Sequence, residues 1–314
     1  MSLSIWLGSL EQGLLWGAMV LGVYITFRVL DYPDLTVDGT FTLGAAITAH
    51  CILLGYSPWV ALLVAVLCGG LAGMVTAFLH TGLRVAPLLS GILTMIALYS
   101  INLRIMGQAN LSLLREQTIF TRVGEIALLE PWGPLLLALT VVVLVVGLLY
   151  LFLQTELGMS VRATGDNEQM IRSLGVNTGT MKLVGLAIGN ALVALSGSLV
   201  AQYQGFADVG MGIGMIIAGL AAVIIGEALV GNQTLFRSLL AAIAGSIVYR
   251  AVIGLVLQLG MPATDLKLFT SLIVVIALAF PLVRQRLGFR SLRLRGEGVA
   301  ETGKYTQDLP SRRD

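Results

Sequence analysis

Ionisable and strongly polar side chains interrupt otherwise apolar stretches at a few positions, and these carry whatever chemistry the chain performs. Glu11, Asp38, Asn102, Arg104, Asp208 and Arg250 all stand within or beside long hydrophobic runs. A charge placed in hydrocarbon costs about 2.5–3.5 kcal/mol on insertion scales, so each one needs a partner or a use. Glu11, Arg104, Asp208 and Arg250, near the outer ends of their segments, could line an outward-facing vestibule that orients a zwitterionic solute. Each also has a plainer reading, as a snorkelling side chain or a structural ion pair such as Arg28 with Asp31 or Asp34. Asp38 and Asn102 lie deeper in their segments and are the better candidates for contact with a path. His50 and His80 stand alone, without a thiol or carboxylate at ligand spacing, so no metal site is expected. Cys51 and Cys68, the only two cysteines, read as small buried apolar residues. Gly298-Val299-Ala300-Glu301-Thr302-Gly303-Lys304-Tyr305 nearly spells a phosphate-binding loop. It ends in Tyr, follows no strand and lies in a polar tail, so neither a nucleotide nor any other cofactor is expected on this chain.

The segments that must position these residues are unusual in composition. The 314 residues are 57% hydrophobic and only 11% charged, where a soluble domain carries about 25% charged residues. The apolar residues fall in blocks of about 20, the length that crosses a hydrocarbon core of about 30 Å as a helix. The expected fold is an all-α polytopic membrane protein of about nine transmembrane segments, embedded in a lipid bilayer. The blocks run 8–30, 39–54, 57–79, 86–106, 134–153, 181–203, 215–231, 236–258 and 266–283. Short broken helices are expected near 34–54 and 205–231. Residues 1–284 form the membrane domain and 285–314 a basic tail, expected to be partly disordered. No Lys or Arg precedes the first block, so a cleaved leader is not expected. With nine spans, Arg28, Arg84, Arg162, Arg172, Lys182, Arg237 and the arginines of the tail share one side. That side is read as cytoplasmic, which leaves the N-terminus outside.

Two polar connections exceed the rest, 107–132 and 154–180. In the second, Asp166 and Gln169 have capping-box spacing, and Gly175 stands where a short helix would stop. Met170, Ile171 and Leu174 would share one face of that helix. Such a helix suits a groove on a partner protein or the headgroup layer of the bilayer, and the residues alone leave both open. The pairs Gly69/Gly73 and Gly185/Gly189 have the small-xxx-small spacing that lets membrane helices approach closely.

The run Gly158-Met159-Ser160-Val161-Arg162-Ala163-Thr164-Gly165-Asp166-Asn167, continued by Leu174-Gly175-Val176-Asn177, resembles the cytoplasmic coupling loop of ABC importer permeases of the branched-chain amino acid/ribose type. Asp34-Leu35-Thr36-Val37-Asp38-Gly39 resembles the start of that family's broken second helix, and Leu10–Leu14 with Gly22–Arg28 its first span. Order and spacing agree from about residue 8 to 285. Met159, where Arg is usual, and Asp38, inserted before the glycine, depart from the pattern. The subgroup resembled includes permeases linked to aromatic amino acids. The resemblance implies a permease subunit with no enzymatic activity of its own, in the bacterial inner membrane. It also implies separate ABC ATPase subunits, an extracytoplasmic solute-binding protein and a second permease subunit, with no role for nucleic acid. It carries the ATPase-coupling role onto Arg162, Gly165, Asp166, Asn167, Gly175 and Asn177. Arg172, on the same short helix, joins them from its place among the loop's charges. A self-sufficient, ion-coupled secondary transporter is the alternative, and it would require carboxylates deep in the bilayer that hold an ion.

Overall fold

Pro58 and Pro87 each open a helix in its first turn, where the missing N–H has no intrahelical partner to lose. The helices they start, α3 (Pro58–Thr81) and α4 (Pro87–Met106), belong to a bundle revealed by a computed structural model. The structure describes residues 3–124 and 132–258, together with Leu272 and Val275. Before them come α1 (Leu3–Val23), which widens into a π-helical turn over Tyr24–Val29, and α2 (Thr36–Leu53). After α4 follow β1 (Asn110–Ser112), α5 (Ile119–Gly124), α6 (Gly133–Gln154), α7 (Glu156–Asp166) and α8 (Glu168–Ser173). The chain continues through α9 (Thr178–Gln204), β2 (Phe206–Asp208), α10 (Met215–Val230) and α11 (Leu235–Gln258).

Helix α9 is the centre of the bundle, packed against α1, α2 and α3, while α11 lies on α1 and α10. Glycines set how closely these axes approach. A Cβ on Gly73 of α3 would strike the Leu186 carbonyl of α9, and one on Gly197 of α9 would strike the Phe41 carbonyl of α2. Gly22 of α1 meets Gly189 of α9 in the same way. Close backbone approach of this kind replaces the hydrophobic drive that lipid cannot supply between helices. The outer faces of α3, α4 and α6 expose Leu63, Leu67, Leu93, Ile96, Leu144 and Leu148, a continuous apolar coat suited to acyl chains.

The chain is therefore a mostly helical, multi-pass membrane protein. Among the described residues, six helices are long and apolar enough to cross a bilayer, not nine. They correspond to the expected blocks at 8–30, 57–79, 86–106, 134–153, 181–203 and 236–258. The block at 215–231 forms the shorter apolar helix α10. The block at 266–283, apart from Leu272 and Val275, and the basic tail lie outside the described residues. The segment near 34–54 is not broken internally: α2 is one continuous helix, and the interruption precedes it at 30–35, where Asp31 has a φ of +51°. Its weak hydropathy has a physical reason. Thr36, Thr40, Thr42 and Thr48 are all buried against other helices rather than lipid, so α2 needs no apolar coat.

The polar breaks gather at two ends of the bundle. At one end β1 pairs antiparallel with β2, Leu111 opposite Ala207, joining the 107–132 and 204–214 connections. At the other, residues 154–177 meet the turns after the π-helix, after α3 and after α10.

Candidate functional site

The 154–177 connection folds as two short helices whose geometry follows from its glycines and caps. Thr155 caps α7 by accepting from Gly158 N–H at 3.2 Å, and Gly158 packs onto the Phe152 carbonyl, turning the chain sharply off α6. At the far end of α7, Gly165 lies on the π-helix itself. A Cβ there would overlap the Val29 carbonyl and come 2.9 Å from Leu30 Cα. Asn167 Oδ1 accepts from Met170 N–H at 2.9 Å and so caps α8. This corrects the expected capping box: Asp166 ends α7, and the cap falls one residue later. Gly175, at φ +88°, stops α8 with a left-handed residue, the conformation that glycine adopts without strain. Asn177 then caps α9, accepting from Gly179 and Thr180. Of the apolar trio, Ile171 is buried, but Met170 and Leu174 stay 52% and 69% exposed. The stripe therefore presents an open apolar face rather than packing into the bundle.

One carboxylate ties this helix to the bundle. Glu168 Oε2 accepts from Lys182 Nζ at 2.7 Å, and Glu168 Oε1 accepts from Arg172 and from the Thr178 hydroxyl, both at 3.0 Å. The Lys182 hydrogen bond, ahead of the Thr178 bond and the charge of Arg172, holds the Glu168 carboxyl below its usual range against the opposing effect of partial burial. Lys182 Nζ also lies 3.4 Å from His80 Nε2, while His80 Nδ1 is 2.8 Å from the Val85 carbonyl. The sequence reading counted Arg172 among the coupling residues but gave no such role to Glu168, its charged neighbour on the helix, or to Lys182. The Glu168–Arg172 spacing of four was a legible signal; the Lys182 contact, fourteen residues away, was not. This network borders a cavity of about 740 Å³, lined also by Arg84 and Asn177. A second cavity, about 420 Å³, holds Arg162 and Asp166 beside the ion pair of Arg28 with Glu227, 2.9 Å long. Arg28 thus pairs with Glu227 and not with Asp31 or Asp34.

The six intramembrane candidates separate by their partners. Asp38 is a helix cap across space: its Oδ2 accepts from Gly214 N–H and its Oδ1 from Ile216 N–H, both at 2.9 Å, at the start of α10. Thr42, one turn along α2, accepts from Gly212. Asn102, fully buried, donates to the Gly39 carbonyl at 3.0 Å and so ties α4 to α2. Asp208 accepts from Gly210 N–H at 2.8 Å and faces Asn110 across the β1–β2 pair. Arg104 is exposed in the last turn of α4, where the helix dipole favours a cation. Glu11 and Arg250 come together around one tyrosine-bearing layer. Tyr203 of α9 donates to Glu11 Oε2 at 2.7 Å, and Arg250 of α11 stacks on Trp16 of α1 with Cζ 3.3 Å from the ring centroid. Among the described residues no group of three or more His, Cys, Asp or Glu could hold a metal.

Exposed leucines along the outer helices, a glycine-packed central helix and an ordered two-helix connection at one end are the features of a multi-pass membrane protein. Residues 5–279 match the protein family described as "Branched-chain amino acid transport system / permease component", and the chain belongs to that family. It is similar to the tyrosine transport system permease protein of Clostridioides difficile, 48% identical over 86% of this chain and 89% of the relative. An uncharacterised protein of Rickettsia prowazekii is 35% identical over 88% of this chain and 98% of its own length. The autoinducer 2 import system permease protein LsrC of Yersinia pseudotuberculosis is 25% identical over 79% of this chain and 68% of its own length. No solved structure matches the chain. The chain is thus an ABC-type permease component rather than an enzyme, in a class whose ATPase is a separate subunit.

Proposed function

We propose that this chain is the membrane subunit of an ATP-driven importer that passes an amino acid or related compound from an extracytoplasmic binding protein to the cytoplasm. The name of the 48% identical relative supports an aromatic amino acid, tyrosine among them, as the cargo. In this reading two copies of the chain pair in the bacterial inner membrane. The basic residues Arg28, Arg84, Arg162, Arg172 and Lys182 face the cytoplasm in this reading, the N-terminus lies outside, and residues 285–314 form a cytoplasmic tail after the membrane domain 1–284. The observation that carries the reading is the Glu168–Arg172–Lys182 network, which fixes an exposed apolar face of α8 at the basic end of the bundle. A partner that moves α8 and α7 would act through Gly165 on the π-helix and through Lys182 on α9. Arg162, Asp166, Asn167, Gly175 and Asn177 shape or flank that contact.

Co-expression with an ATPase subunit and a binding protein from a tyrosine transport system tests the reading. The Asn167→Ala/Arg172→Ala double variant should reach the membrane at wild-type level yet lose ATP-driven tyrosine uptake. Normal uptake by that variant would remove the coupling role. Wild-type uptake that persists without any ATPase would instead favour the ion-coupled alternative.

A further inference from the structure

Arg250 carries a charge for which the described residues supply no counter-ion. Its guanidinium sits over the ring of Trp16, itself buried, and its Nε is buried with no hydrogen-bond partner among the described residues. No ion pair among the described residues includes it. Glu11, the acid on the facing stretch of α1, is instead engaged by Tyr203. Stacking on an indole attracts a cation without neutralising it or satisfying its donors. Burial of such a group is costly unless an anion completes it.

The space for that anion is present. Arg250 borders a cavity of about 340 Å³ between α1 and α11, lined by Gly8, Ser9, Gln12, Ile253 and Gly254. Gly8 leaves nothing within 4 Å of where a Cβ would stand, which widens the opening. Ser9 and Gln12 bring a hydroxyl and an amide to the lining of the same cavity. A planar guanidinium held by its face on an aromatic ring keeps its edge donors free, and that fork matches the two oxygens of a carboxylate. The volume is at the lower end of the range for small-molecule pockets.

We propose that the α1–α11 cavity is a transit subsite for the carboxylate of an amino-acid-class solute, with Arg250 as its anion-binding group. The proposal rests on the importer reading for the identity of the solute, and on the cavity and a cation without a counter-ion among the described residues for the site.

Displacement of radiolabelled L-tyrosine from the full-length permease in phosphatidylcholine nanodiscs tests it. Phloretate, which keeps the carboxylate and lacks the ammonium, should displace the label; tyramine, which lacks the carboxylate, should not. Arg250→Gln should weaken tyrosine binding by roughly tenfold to a hundredfold, the loss of a hydrogen bond to a charged group. Arg250→Lys, which keeps the charge and guards against misfolding, should bind with an intermediate affinity. Displacement by tyramine as effective as by tyrosine would overturn the proposal, as would wild-type affinity in Arg250→Gln or no tyrosine binding to the wild type. Loss of the label on adding phosphatidylglycerol would assign the site to a lipid phosphate instead and also overturn it. ATP-driven uptake separates the two readings. A wild type that takes up tyrosine with an Arg250→Gln variant of unchanged KM sinks the subsite alone. A wild type that takes up no amino acid with ATPase and binding protein present sinks the importer reading, and the displacement result still decides the subsite.

Discussion

Replacing Asp38 with Asn isolates the contact that joins α2 to α10. The two side chains have nearly the same shape, so packing is preserved. The carboxylate presents acceptors to both Gly214 and Ile216, each at 2.9 Å. An amide keeps one acceptor oxygen and turns a donor NH2 toward the other N–H. A hydrogen bond to a charged group contributes about 1.5–3 kcal/mol, and a buried donor left unmatched costs about 1–3 kcal/mol. Shared solvation relief keeps these from adding fully, and a net loss of about 2–4 kcal/mol at the first turn of α10 follows. Such a loss should speed amide hydrogen exchange at Gly214, Met215 and Ile216 by roughly thirtyfold to several hundredfold, if exchange there proceeds by local opening. Exchange mass spectrometry on the purified protein reads this directly, with the amides of α3 as an internal reference. Unchanged protection at Gly214 and Ile216 would refute the view that Asp38 is a cap, and would return it to the translocation path.

Two further outcomes follow from the basic end of the bundle. Gly165→Val should displace α7 from the π-helix, since Val29 and Leu30 meet the new side chain with backbone atoms that cannot swing aside. A cost of about 1–3 kcal/mol is expected from overpacking, with ATP hydrolysis by the assembled transporter retained but uptake per ATP reduced; uptake per ATP equal to wild type would argue against this contact as a transmission point. Glu168, held below its usual carboxylate range in the folded chain, should stabilise the fold fully above about pH 4.5, with the contribution fading as pH falls through its depressed folded value. The melting temperatures of wild type and Glu168→Gln should therefore differ at neutral pH and converge in acid, and a gap that stays constant with pH would contradict the ion-pair role.

Much of this architecture was legible before any coordinates because lipid imposes simple rules. Blocks of about twenty apolar residues marked all six long helices of the described residues, and Gly175 marked the stop of α8 by local geometry alone. What local pattern could not show was which distant groups meet. Asp38 reads as an intramembrane acid until α10 is brought to it, 176 residues later. The β1–β2 pair joins segments 98 residues apart, Asn110 facing Asp208, and neither three-residue strand has a periodicity to detect. The π-helical turn at Tyr24–Val29 leaves no mark on an apolar run. The capping box failed more narrowly: Asp166 and Asn167 are both good caps, and only the tertiary seat of Gly165 on Val29 decides that α7 continues through Asp166.

The length of α9 has a mechanical consequence. Its 27 residues, from the Asn177 cap to the left-handed Gly205, span about 40 Å as an unbroken helix. The hydrocarbon core is only about 30 Å thick, so the rod must lean or protrude. One end carries Lys182 and its grip on α8; the other leads directly into β2. For a stiff rod pivoting at its middle, a lean of about 10° carries the two ends about 3.5 Å in opposite directions. A small push on α8 at one surface would thereby return as a shift of the β1–β2 pair at the far surface, without any change in the helix itself.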